Sequence, residues 1–129
     1  MANVLIADDE ATIRRLLSSI IKKLGHTPIE AANGKEAFDK YKNESIDLSF
    51  IDIQMPEIDG IDCLERVKQI DPNAVVIIMT GYPSAETIID MINDEGYTYL
   101  AKPLNVNKVM DLVQRGLEYR KARLKGEDI

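Results

Sequence analysis

Val75-Val76-Ile77-Ile78-Met79 is a run of five apolar residues, four of them β-branched. No polar residue interrupts it, so it reads as a strand covered on both faces and not as one with a wet side. Four more short apolar runs recur along the chain: Val4 to Ala7, Ile29 to Ala32 after Pro28, Leu48 to Ile51, and Tyr97 to Ala101. Segments of helical period lie between and after them. Ile13, Leu16, Leu17, Ile20, Ile21 and Leu24 form one face of a helix, and Gly25 follows where a C-terminal cap belongs. Gly34 to Lys42 carries Ala37, Phe38 and Tyr41 at helical spacing. Leu64 and Val67 mark a third helix, closed by Asp71-Pro72. Ser84 opens a fourth, whose core face is Ala85, Ile88, Ile89 and Ile92. Val106, Val109, Met110, Val113 and Leu117 mark a fifth.

Five strands alternating with five helices predict an α/β fold, a doubly wound five-stranded parallel sheet with helices on both faces. Right-handed crossovers leave few topologies, and the flavodoxin-like order 2-1-3-4-5 fits. The length of 129 residues allows one domain. We place that domain over 1–119, with 120–129 as a charged C-terminal tail or the start of a linker helix. Arg120, Lys121, Arg123 and Lys125 supply its positive charge.

Composition narrows the function. The net charge is -6, from 16 basic and 22 acidic residues. That argues against direct nucleic-acid binding, which needs clustered basic charge. A single cysteine, Cys63, excludes an internal disulfide and a multi-cysteine metal site. No apolar run approaches the roughly 18–20 residues that cross a bilayer, and Met1-Ala2-Asn3-Val4 does not start a signal peptide. No membrane role and a reducing, cytoplasmic setting are therefore expected. His26 reads as a solvated turn residue. Cys63, Phe38 and Tyr41 read as packing.

In an open parallel sheet, ligands bind outside the carboxyl ends of the strands. Asp8, Asp9 and Glu10 follow the first strand, Asp52 ends the third, Thr80 the fourth and Lys102 the fifth. Taken singly, acids at such positions are most often caps or solvated turns. Together they converge on one mouth. Three carboxylates about 5 Å apart repel by roughly 3 kcal/mol per pair at an effective dielectric near 20. A lysine and a hard divalent cation would offset this, and an open mouth with few protein oxygens suits Mg²⁺. The acidic Ala7-Asp8-Asp9-Glu10 turn is no phosphate-cradling glycine loop. The phosphoryl group would then sit on an aspartate, and Asp52, expected to be the most buried acid, is the candidate.

These motifs resemble the receiver domains of two-component response regulators. The matching stretches are Val4 to Glu10, Phe50 to Pro56 with Asp59-Gly60, Ile77 to Gly81, and Tyr99 to Pro103. The resemblance implies Asp52 as phosphoacceptor. It implies Mg²⁺ held by Asp8, Asp9, Asp52 and the backbone carbonyl of Gln54. Lys102 would contact the phosphoryl oxygens, Thr80 would donate its hydroxyl, and Tyr99 would turn with Thr80 as a switch. A cis bond before Pro103 is also implied. The partners would be a sensor histidine kinase or phosphotransfer protein. An output domain or a second copy would meet the face made by the fourth helix, fifth strand and fifth helix. Such a chain is a signalling domain, catalysing only its own phosphorylation and dephosphorylation. Three rival readings fit less well. A haloacid-dehalogenase-like aspartyl phosphatase needs an acid two residues after the nucleophile, where Gln54 stands. An FMN carrier of flavodoxin type would meet repulsion from Asp8-Asp9-Glu10. A receiver-like interaction module that is never phosphorylated would not need the intact acid, hydroxyl and lysine set.

Overall fold

The computed structural model describes residues 1–55, 60–81 and 98–126. Its elements run β1 (Asn3–Ala7), α1 (Ala11–Lys23), β2 (Thr27–Ala31), α2 (Gly34–Asn43), β3 (Leu48–Asp52), α3 (Gly60–Ile70), β4 (Val76–Thr80), β5 (Thr98–Ala101) and α4 (Val106–Leu124). The strands form one sheet in the order β2-β1-β3-β4-β5, with every pair parallel. This is the expected fold class and order. The helix read from Ser84 to Ile92, the residues Pro56 to Asp59, and Tyr97 lie outside the described residues.

Strand side chains alternate between faces, and both faces are apolar. Leu5, Ile51, Val76 and Ile78 pack with Ala37, Cys63, Leu64 and Val67, so α2 and α3 cover one side. Val4, Ile6, Leu48, Phe50, Ile77, Met79 and Leu100 pack with Leu17, Ile21, Val109 and Val113, so α1 and α4 cover the other. Burial on both faces is why these strands carry uninterrupted apolar runs. Gly116 sits within α4 where a Cβ would lie 2.7 Å from Leu48 Cδ1, so the glycine lets the helix close on the sheet.

The end of α1 follows its sequence. Gly25 has φ +87, the left-handed conformation that favours glycine. The His26 amide reaches the Ile21 carbonyl and the Gly25 amide the Lys22 carbonyl, both at 3.0 Å, which closes the helix as a Schellman motif. Three expectations need correction. Leu16 is 38% exposed, because the apolar stripe of α1 is wider than its contact with the sheet. β2 starts at Thr27 and includes Pro28, which an edge strand tolerates. His26 is half-buried, not solvated, and its Nδ1 accepts a hydrogen bond from the Ala2 amide at 3.1 Å.

Residue 119 falls inside α4, which continues to Leu124. Its end is tied to the turn between α3 and β4. Arg120 Nη1 donates to Asp71 Oδ2 at 2.7 Å and to the Asn73 carbonyl at 2.9 Å. The Tyr41 hydroxyl donates to the same Asp71 oxygen at 2.8 Å. Arg123 Nη2 reaches the Pro72 carbonyl at 3.2 Å. Burial alone would raise the Asp71 pKa, but the bonds from Tyr41 and Arg120 outweigh it and hold the carboxyl below its usual range. Burial and the Asp71 carboxylate push the Tyr41 hydroxyl up.

A carboxyl with a depressed folded pKa stabilises the fold above its unfolded pKa, and that contribution is lost as pH falls through the folded value. We therefore expect Asp71→Asn to lower stability at neutral pH by about 1–3 kcal/mol, the worth of charge-assisted bonds. Urea unfolding from pH 7 down to 3 should show the gap between variant and wild type closing below pH ~4. A gap that widens on acidification contradicts the assignment.

Candidate functional site

β1, β3, β4 and β5 all end on the same edge of the sheet, so the residues after them share one mouth. The β1 alternation that buries Val4 and Ile6 against α1 and α4 continues to Asp8. In β3 the same face carries Phe50 and then Asp52, paired with Met79 of β4, which pairs with Leu100 of β5. The next residue of that parity is Lys102. Its amide donates to the Thr80 carbonyl at 2.8 Å, holding the chain beside β4 beyond the strand end. The Lys102–Pro103 peptide is cis.

Parity thus aims one ammonium at two carboxylates. Lys102 Nζ lies 2.9 Å from Asp8 Oδ2, 3.2 Å from Asp52 Oδ2 and 3.8 Å from Glu10 Oε1. It makes a hydrogen bond to Asp52. Its contact with the buried Asp8 Oδ2 is an ion pair, and no other donor reaches that oxygen among the described residues. The other oxygen of each carboxylate is bound by backbone. Asp8 Oδ1 accepts from the Glu10 amide at 2.9 Å, and Asp52 Oδ1 from the Gln54 amide at 3.0 Å. These are Asx turns, which fix each side chain against its own following residues.

Two acids competing for one cation leave Asp52 short of compensation. Burial raises its pKa first. The Gln54 amide pulls it down, the charge of Asp8 pushes it up and Lys102 pulls it down, with a net rise. For Lys102, burial favours the neutral amine, but Asp8 and Asp52 reverse this and hold its pKa above the usual lysine value. Its ammonium is therefore secure at neutral pH.

The carboxylates of Asp8, Asp9 and Glu10 converge within 4.8 Å of one another. Asp9 and Glu10 are exposed, which leaves the cluster open to solvent on one side. Its oxygens, one of them buried and met only by the shared Lys102 among the described residues, are hard donors of the kind that Mg²⁺ takes. Asp52 stands beside this group, linked to it through Lys102. Contrary to expectation, Asp52 is not the most buried acid: it is 4% exposed, whereas Asp8 is fully buried. Asp8 sits lower in the crevice because its amide still pairs with the Ala31 carbonyl of β2, at 3.1 Å.

Thr80 is buried at the end of β4, opposite Ala101. Tyr99 lies opposite Ile78, two residues before the end of β5, and packs with the layer under α2 and α3. Thr80 and Tyr99 therefore share the face opposite the acids. Arg14 was not foreseen. Its Nη1 donates to the Asp8 carbonyl at 2.7 Å while its Nε pairs with Glu30 at 3.3 Å. The only sequence signal was an arginine one turn after the acids.

Comparison with known proteins identifies the family. Residues 4–114 match the family described as response regulator receiver domain. The chain is 39% identical over 114 residues to sporulation initiation phosphotransferase F of Bacillus subtilis, covering 88% of this chain and 92% of that protein. A response regulator receiver domain protein (CheY-like) from Methanospirillum hungatei superposes with a TM-score of 0.89 at 27% identity, covering 95% of this chain and 98% of that one. A chain of the CheX-CheY-BeF3-Mg+2 complex from Borrelia burgdorferi superposes with a TM-score of 0.83 at 37% identity, covering 88% and 87%. A strand-end mouth of acids and a lysine on a 2-1-3-4-5 sheet, together with these matches, means that the chain belongs to the response regulator receiver domains.

Proposed function

We propose that the domain takes a phosphoryl group onto Asp52 from a phosphohistidine on a sensor histidine kinase or phosphotransfer protein. The observation that carries this reading is the Lys102 ammonium bridging the buried Asp8 and Asp52 carboxylates in an open mouth. An Asp52 oxygen attacks phosphorus, and the phosphorus–nitrogen bond to the donor imidazole breaks. The donor ring carries a proton on its other nitrogen, so the imidazole that keeps the electron pair leaves as a neutral histidine. Lys102 meets the charge on the phosphoryl oxygens, and Thr80 donates its hydroxyl to one of them. Asp8, Asp9, Asp52 and the Gln54 carbonyl would hold Mg²⁺. When bound, that ion supplies positive charge against the carboxylates and the incoming phosphoryl oxygens. Catalysis is confined to the domain's own phosphorylation and dephosphorylation.

Gln54 speaks against the phosphatase rival. It stands two residues after Asp52, is exposed, and its amide is bound to Asp52. It offers no second carboxyl for general acid work. No described helix is long and apolar enough to cross a membrane, and a cytoplasmic signalling role is part of the proposal. So are the boundary at residue 119 and an output domain or second copy docking on the side of β5 and α4.

Three outcomes follow. Acetyl phosphate with Mg²⁺ should add the mass of one phosphate to the wild type and none to Asp52→Asn. An Asp52→Asn protein that still gained this mass would remove Asp52 as acceptor.

Asp9→Asn should raise the melting temperature without Mg²⁺ by a few degrees, because a carboxylate within 4.8 Å of two others is removed. The gain should shrink when Mg²⁺ is added, since the ion offsets the same repulsion in the wild type. A lower melting temperature for the metal-free variant is incompatible with a strained cluster.

Phosphorylation should also reach Tyr99 through Thr80. A new dianion draws the Thr80 hydroxyl toward it by a charge-assisted bond worth ~1.5–3 kcal/mol. Moving a switch from 1:99 to 99:1 takes about 5.5 kcal/mol, so phosphorylation biases the switch and a docked partner completes it. Beryllofluoride should shift NMR signals over residues 84–110. Thr80→Ala should lose most of those shifts while Asp52 still accepts phosphate. A full wild-type response from that variant disproves the coupling.

A further inference from the structure

Asp8 is held at more points than its side chain explains. Its amide donates to the Ala31 carbonyl at 3.1 Å. Its Oδ1 accepts from the Glu10 amide at 2.9 Å. Its carbonyl accepts from Arg14 Nη1 at 2.7 Å. The first bond belongs to the sheet and the second to the turn. The third comes from a side chain one turn into α1, and that side chain is itself held. Arg14 Nε pairs with Glu30 Oε1 at 3.3 Å, and the Glu30 carbonyl accepts from Lys40 Nζ at 2.8 Å. Arg14 is 19% exposed at its side chain, so the fork is sheltered.

The Asp8 carbonyl is half of the Asp8–Asp9 peptide. That group is planar, so gripping its oxygen fixes the plane from which Asp9 departs. Asp9 itself is exposed. The carboxylates of Asp8, Asp9 and Glu10 nonetheless converge within 4.8 Å, against their mutual repulsion. Repulsion favours any rotation of the peptide that swings Asp9 away, and the guanidinium opposes that rotation. Arg14 also brings a positive charge to a cluster of negative ones. A planar two-point donor does this better than an ammonium, because one edge can bind Glu30 while the other binds the carbonyl.

We propose that Arg14, oriented by Glu30, is a positioning residue. It fixes the Asp8–Asp9 peptide so that the acids after β1 present a converged set of oxygens to a divalent cation. The inference rests on the proposed Mg²⁺ site and adds residues of α1 and β2 that touch neither the cation nor the phosphoryl group. Partners that hold ligating groups in place commonly matter 10–100-fold to metal affinity.

Charge and positioning predict opposite signs, which makes the idea testable. Loss of a cation near an anionic site should tighten Mg²⁺ binding, whereas loss of the grip should weaken it. Mg²⁺ is titrated into wild type, Arg14→Ala, Arg14→Lys, Glu30→Gln and Arg15→Ala, followed by amide NMR shifts. Nitrogen-15 order parameters of Asp9 and Glu10 are measured without metal. We expect Arg14→Ala to weaken Mg²⁺ binding about tenfold or more and to lower both order parameters. Arg15→Ala removes the same charge from an exposed neighbour and should leave affinity unchanged or slightly tighter. Glu30→Gln should fall between, and Arg14→Lys should recover only part of the loss. Should Arg14→Ala not fold, Glu30→Gln and Arg14→Lys carry the same comparison. Undiminished Mg²⁺ affinity or unchanged order at Asp9 in these variants overturns the proposal. A wild type that takes no Mg²⁺ refutes the proposed metal site instead, and the metal-free order parameters then decide the role of Arg14 alone.

Discussion

One ammonium between two buried carboxylates sets the terms for the rest of this molecule. Lys102 lies within 3.2 Å of both Asp8 and Asp52, and each acid would be costly to bury without it. Neither acid has the lysine to itself, so the net charge of the trio stays negative, and Glu10 at 3.8 Å adds to the excess. Such a site is stable enough to form and still unsatisfied enough to draw in positive charge. The sheet makes this possible. Parallel strands put their carboxyl ends on one edge, and alternation directs Asp8, Asp52 and Lys102 to one face of it. Shifting β1 by one residue against β3 would send Asp8 to the opposite face. The apolar runs that fix the register therefore also fix the site.

On the proposed function, the same alternation would separate recognition of the phosphoryl group from its readout. Thr80 follows Val76 and Ile78 on the side covered by α2 and α3, and Tyr99 packs with that layer. A group added to Asp52 can reach Thr80 only at the mouth, where the strands end. Under that proposal Tyr99 would feel Thr80 along its own face, two residues down the neighbouring strand. The coupling needs no path through the core, which is close-packed and yields little. It would run along the rim of the sheet, where a hydroxyl can turn.

The sheet and the acids were legible in the sequence because each rests on local pattern. An uninterrupted run such as Val75 to Met79, short and rich in β-branched residues, reads as a covered strand, and the residues after each such run then lie at the mouth. Contacts between elements that are distant in sequence leave no such trace. Nothing in the sequence marks the Asp71–Arg120 pair, 49 residues apart, or Tyr41 as a hydrogen-bond donor as well as a packing residue. His26 looked solvated because glycine precedes it, yet the start of β1 passes close enough for Ala2 to bond its ring. The relative burial of Asp8 and Asp52 was also out of reach. Both follow apolar runs, and only the pairing of Asp8 with Ala31 places it lower. Arg14 shows the same limit at short range: helical period gives its face but not the carbonyl it meets.

The two ends of the sheet are built on opposite electrostatic plans. At the end away from the acids, charges are closed off. Arg120 meets Asp71, which also takes the Tyr41 hydroxyl, and Arg123 and Lys68 cap carbonyls of the turn before β4. Each bond there joins α4, α2 or α3 to that turn, so this end resists separation of the helical layers. At the other end three acids crowd within 4.8 Å, and the buried Asp8 Oδ2 has only the shared Lys102 as its partner among the described residues. A domain of this size is stabilised by only about 5–15 kcal/mol, so repulsion of a few kcal/mol at one end must be offset elsewhere. The closed network at the far end, with the sheet between, keeps the helices in place while the mouth remains short of positive charge. Under the proposed function, the energy difference between the bare and the occupied mouth would then appear as local change at Thr80 and Tyr99 and not as loosening of the whole fold.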